Sequence, residues 1–180
     1  MSREPTRQKL FTATLRLIGT RGVVGLTVDE IAAEAGVAKG TVYYNFGSKD
    51  GLIDALLRHG VDLLAARLEG AASVERLVDE LLGFYAAYPT FAQLLVSELW
   101  RTPSQWRATL ALLRERVTGL LRARLQEVAV LPAGVRVETA ASALFGTVLV
   151  VALDWQVFSP ERSGEDVRDD ILALMEGLRA

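Results

Sequence analysis

With 180 residues, 51% of them hydrophobic, the chain can bury a sizeable core as one domain or as a small head fused to a larger body. The absence of cysteine excludes disulfides and thiolate metal sites and makes a reducing, cytoplasmic setting natural. The net charge of −2 does not exclude a polyanionic partner, because residues 1–60 carry 8 basic and 6 acidic side chains (+2) while residues 61–180 carry 12 and 16 (−4).

A first helix is expected from about Pro5 to Thr20, with Leu10, Ala13, Leu15, Leu17 and Ile18 on its apolar face. Pro5 suits a first helical turn, where its missing N–H costs nothing. Gly19, Gly22 and Gly25 break the pattern. A second helix starts near Val28, because Thr27 and Glu30 stand at capping-box spacing. Gly36 falls where a left-handed C-cap residue is wanted. A third, short helix covers about Ala38 to Asn45. Ser48 caps a long fourth helix from Lys49 to Glu69, whose Leu52, Ile53, Leu56, Leu57, Val61, Leu64, Ala65 and Leu68 recur at helical spacing.

Five more helices are predicted. Ser73 caps one reaching Ala87, and Pro89 opens another ending near Trp100. Thr102-Pro103 starts a long one to about Val130. The last two run from about Arg136 to Phe158 and from Glu165 to Leu178. The expected fold is therefore all-α, with about nine helices. The run Thr139 to Leu153 is uncharged for 15 residues, short of the ~20 that a spanning helix needs, so a buried helix and no membrane are expected. The segment Met1-Ser2-Arg3-Glu4-Pro5 carries charge and does not look like a signal peptide.

Helices two and three with their glycine turn make a helix-turn-helix pattern. Ala32 is small where the helices must cross, and Val37 and Val42 close a small core behind the third helix. Lys39, Gly40, Thr41, Tyr43 and Asn45 then face outward. No acid lies between Glu34 and Asp50, so this stretch can approach a polyanion.

The run from Leu26 to Leu52, LTVDEIAAEAGVAKGTVYYNFGSKDGL, resembles the signature of tetracycline-repressor (TetR) type bacterial transcriptional regulators. The resemblance covers roughly residues 8–55. Asn45 departs from it, since the family commonly has His after the aromatic pair. The resemblance implies a three-helix DNA-binding head (1–48) joined by the long helix to an effector-binding and dimerisation body (49–180). It implies that Lys39 reaches a guanine edge or a phosphate, and that Gly40 lets the backbone approach the groove. Thr41 and Tyr43 would touch bases or phosphates, and Tyr44 and Asn45 the DNA backbone. Thr27 and Lys49 would hold phosphates at helix N-termini. For both tyrosines, core packing is the alternative.

Double-stranded operator DNA, a small effector and a second copy of the chain are the expected partners. For the dimer interface the small Ala140, Ala143 and Gly146 allow close helix approach, with Leu144 and Val150 supplying area. An apolar or aromatic effector would suit a cavity lined by Phe84, Tyr88, Phe91, Trp100, Trp106 and Phe145, with His59 facing it. The alternative is that these residues are ordinary core. The expected function is a ligand-responsive regulator, a repressor released from a palindromic operator when its effector binds. An activator, a co-repressed regulator or a helical binding protein without DNA function are the alternatives. One histidine, no cysteine and no phosphate loop leave little for catalysis. No catalytic residue, metal or cofactor is expected, and the place of action is the cytoplasm, at the nucleoid.

Overall fold

A computed structural model describes residues 3–99, 105–128, 131 and 133–177. Nine helices and no strand occur among them: α1 (Arg3–Arg21), α2 (Val28–Ala35), α3 (Lys39–Phe46), α4 (Lys49–Glu69), α5 (Val74–Ala87), α6 (Pro89–Leu99), α7 (Arg107–Val128), α8 (Val137–Phe158) and α9 (Gly164–Gly177). The expected start of α7 at Thr102-Pro103 lies outside the described residues.

Capping fixes the boundaries that the sequence predicts. Thr27 and Glu30 form both halves of a capping box at the start of α2. Ser48 and Ser73 accept from the backbone N–H groups of Gly51 and Arg76. Each such cap stabilises its helix by about 1 kcal/mol. Gly36 ends α2 in the left-handed region at φ 65°. There the N–H groups of Gly36 and Val37 return to the carbonyls of Ala33 and Ala32 at 3.1 and 3.0 Å. This pair of bonds is a Schellman closure, and it turns the chain sharply into α3.

α1, α2 and α3 surround a small core of Leu10, Leu26, Ile31 and Val42, to which Leu52 and Ile53 at the start of α4 also belong. The same α4 continues into the body, where it packs on α5 and α7, while α8 packs on α5, α6, α7 and α9. α4 is thus common to both cores. The head also meets the body through α1 and α6: a Cβ on Gly19 would stand 2.9 Å from Thr90 Oγ1. α4 and α6 cross closely as well, since a Cβ on Gly60 would fall 2.2 Å from the Phe91 ring.

Polar rungs join α4 to α7. Gln105 donates to Asp50 at 3.0 Å, the Trp106 indole N–H donates to the Asp50 carbonyl at 3.3 Å, Thr109 donates to Asp54, and Arg116 pairs with Asp62. Burial raises the Asp54 carboxyl, but hydrogen bonds from Thr109 and Arg58 and the Arg58 charge outweigh it and hold the group below its usual range.

Candidate nucleic-acid interface

α3 is anchored by one side and presents the other. Val42 is fully buried and Phe46, one turn on, is half-buried against the core. Gly40, Tyr43 and Tyr44 are all exposed, and their i, i+3, i+4 spacing puts them on one face, with the exposed Gly47 just past the helix end. Tyr43 is 46% and Tyr44 81% exposed, so neither is core. A bare surface with two aromatic rings is informative, whereas scattered exposed apolar atoms are not. The N-terminus of α3 has no side-chain cap and no acid in its first turn, so its free N–H groups and dipole favour an anion.

The three acids of α2 are each neutralised within the head. Asp29 pairs with Lys39 at 2.8 Å, Glu30 with Arg21 at 2.7 Å and Glu34 with Arg16 at 2.8 Å. Hydrogen bonds from the Thr27 side chain and backbone, with Arg21, keep the Glu30 carboxyl below its ordinary range. The bond and charge of Asp29 raise the Lys39 ammonium. These pairs are exposed and worth little to stability. Their effect is to cancel negative charge beside the presented face. Local sequence patterns do not reveal them, because the partners lie 9 to 18 positions apart.

The remaining expected contacts are less free. Lys49 is half-buried and donates to the Leu26 carbonyl at 3.0 Å, leaving two of its three donors. Thr27 is exposed, with its hydroxyl engaged in the capping box. Thr41 is half-buried on the flank of α3. Asn45 turns its amide inward, donating to the Thr41 carbonyl at 2.8 Å while its Oδ1 is buried without a partner. Arg7, which the sequence does not single out, lies over the Phe46 and Phe11 rings at 5.2 and 5.7 Å and clamps α1 to the end of α3.

In the body, His59, Phe84, Tyr88 and Phe91 come together around a cavity of about 80 Å³ at the junction with α1. Phe84 packs on Tyr88 and Phe91 with centroids 5.0 and 5.6 Å apart, and His59 stacks on Phe11 at 5.2 Å. Trp106 is buried elsewhere, against the start of α4, and Phe145 lines a separate groove on α8. Trp100 lies outside the described residues. Tyr85 is fully buried with its hydroxyl unpartnered, and burial pushes its ionisation far upward. On the proposed dimer face Ala143 and Val150 are exposed and Ala140 and Gly146 half-buried, but Leu144 is buried in its own protomer at 2% exposure.

Residues 10–56 match the sequence profile of bacterial regulatory proteins of the tetR family. The HTH-type transcriptional regulator BetI of Brucella suis biovar 1 (strain 1330) is 44% identical over 80 residues, covering 41% of this chain and 40% of that protein. BetI of Burkholderia mallei (strain NCTC 10229) is 45% identical over 74 residues, covering 39% and 38%. Residues 10–56 thus belong to the TetR family of bacterial regulatory proteins. The alignment spans about two fifths of the length of these curated relatives. Two solved structures share the whole fold. The fatty acid degradation regulator FadR from Bacillus halodurans superposes with TM-score 0.77 at 22% identity, covering 98% of this chain and 95% of that one. FadR from Bacillus subtilis in complex with stearoyl-CoA gives 0.74 at 20%, covering 93% and 96%. These relatives and fold neighbours are all regulators.

Proposed function

We propose that this chain is a TetR-family transcriptional regulator that binds a palindromic operator as a homodimer and leaves it when an effector occupies the body. The observation that carries this is the exposed stripe Gly40, Tyr43, Tyr44 on α3, bordered by internally neutralised acids and held by a buried Val42. Residues 1–48 act as the reading head and 49–180 as the body. Tyr43, Tyr44 and Gly40 enter the major groove. Lys39 exchanges Asp29 for DNA, the two spare donors of Lys49 and the N-terminus of α2 at Thr27 hold phosphates, and Thr41 and Asn45 support the face from its flank.

A single head distinguishes too few base pairs, as each mismatch costs only ~1–3 kcal/mol, so two heads one helical turn apart are needed. α8 supplies the surface for pairing. By length and composition it could cross a membrane, yet Glu138 and Asp154 bound its apolar run, and 28% of its most apolar stretch is buried in the protomer. Exposed Ala143, Val150, Val157 and Phe158, with Leu174 on α9, form a face that a second copy covers in a four-helix arrangement. The fold neighbour solved with stearoyl-CoA supports an effector with a large apolar part. Release of DNA on effector binding requires a coupling of about 1–3 kcal/mol, or about 5–150-fold in operator affinity.

The test is a fluorescent duplex taken from upstream of the gene, titrated with protein at two salt concentrations against a random duplex of equal length. Preference for the upstream fragment, with affinity falling steeply as salt rises, is expected. Equal binding to both duplexes at physiological salt overturns the proposal.

A further inference from the structure

Resting on the proposal that α3 reads an operator, we infer that Arg7 is a positioning residue for that helix: it fixes how Tyr43 and Tyr44 are presented without itself touching DNA. α3 has eight residues, and only Val42 among them is fully buried. A short helix held at one point near its middle can still roll and tilt about that point, so a second anchor is needed to aim its outer face. Phe46, one turn on, is the last residue of α3 and is half-buried against the core. Its ring is closed from the α1 side by Arg7, whose guanidinium lies 5.2 Å from the Phe46 centroid and 5.7 Å from that of Phe11. The two rings stand 5.7 Å apart, and Phe11 also stacks on His59 of α4 at 5.2 Å. The end of the reading helix is thereby braced from α1 and, through one ring, from α4.

No carboxylate holds this cation. Arg7 is half-buried and makes no ion pair or hydrogen bond with any described residue. A flat guanidinium can lie over two ring faces at once, which a lysine ammonium on its flexible stem does not reproduce. The contrast with Lys39 is one of surroundings: the Lys39–Asp29 pair is exposed and DNA can displace it, whereas Arg7 sits on a buried and a half-buried ring.

The 180-residue chain and its variants Arg7→Met, Arg7→Lys and Phe46→Leu are compared by anisotropy on the upstream duplex and on a random duplex of equal length. Each is titrated at three salt concentrations, below the unfolding onset of the least stable variant. Arg7→Met keeps the stem and removes the cation. It is expected to lower the preference for the upstream duplex about tenfold, with random-duplex affinity and salt slope at wild-type values. Arg7→Lys restores the charge without the plane and is expected to stay closer to Arg7→Met than to wild type. Phe46→Leu removes one ring of the same contact, so the double variant is expected to lose less than the product of the two single losses. A loss equal on both duplexes, with the salt slope lowered by about one unit per head, makes Arg7 a phosphate contact and overturns the inference. Full recovery in Arg7→Lys, multiplicative losses in the double variant, or wild-type preference in Arg7→Met overturns it as well. Failure of the wild type to prefer the upstream duplex sinks the reading surface itself, whereas a preference that Arg7→Met retains sinks only the role of Arg7.

Discussion

Gly40 is not demanded by the fold: its φ lies outside the positive region, and a methyl group on it would meet nothing within 4 Å. Glycine inside a helix costs roughly 0.5–1 kcal/mol relative to alanine, so the position carries a stability penalty with no internal compensation. On the proposed function, the close approach of DNA supplies the reason. Gly40→Ala is therefore expected to raise unfolding stability by about 0.5–1 kcal/mol in urea while lowering operator affinity at least several-fold. Loss of both together would mean that the glycine serves the head's own packing. Lys49 makes a different point at the same scale. Its ammonium does structural work on the Leu26 carbonyl, a partner 23 positions away. Lys39, by contrast, is held only by an exposed pair that DNA can displace.

Among the elements, α4 is the one shared by the core around α3 and the core around α5 and α7. Its polar rungs to α7 are unusual in a seam otherwise filled by leucine and valine, and Asp54 is the central one. Asp54→Ala leaves the buried Thr109 hydroxyl unpaired and is expected to cost roughly 1–3 kcal/mol by urea unfolding. Because the folded carboxyl titrates lower than the unfolded one, its contribution is present above the ordinary Asp range near pH 4 and fades as pH falls through the depressed value. The variant's deficit relative to wild type should therefore narrow in acid by the part that depends on ionisation, and a gap that persists undiminished well below pH 4 contradicts the assignment. These rungs also mark where sequence reading ends. The bounds of α4, the left-handed Gly36 and the outward Lys39, Gly40 and Tyr43 were legible because caps, glycines and apolar spacing act over three or four residues, whereas Thr41 and Asn45, expected to face outward too, are half-buried. Asp50–Gln105, Asp54–Thr109 and Asp62–Arg116 join positions 54 or 55 apart, and nothing local at either end names the other. The aromatic set was legible only in part for the same reason. His59, Phe84, Tyr88 and Phe91 converge, whereas Trp106 and Phe145 were sent elsewhere by contacts that composition cannot reveal.

For the whole molecule, the proposed function depends on two heads held at a fixed distance. The outer face of α8 is the surface most in need of cover, with Val150 61% and Phe158 76% exposed in the protomer. Val150→Arg places a charge in the middle of that face without touching the intrachain core. It is expected to shift sedimentation from dimer toward monomer at micromolar concentration with helicity intact, and a variant that sediments like wild type removes α8 from the interface. Since one head has too little discrimination, the same variant should bind the upstream duplex hardly better than a random one. The most direct test of the central claim, that α3 is the reading surface, is the anisotropy of a labelled upstream duplex titrated with wild type and with Tyr43→Ala. Tyr43 is half outside the fold, so the substitution should leave thermal unfolding nearly unchanged and abolish the preference for the upstream over a random duplex. A Tyr43→Ala protein that keeps wild-type preference and affinity would contradict it.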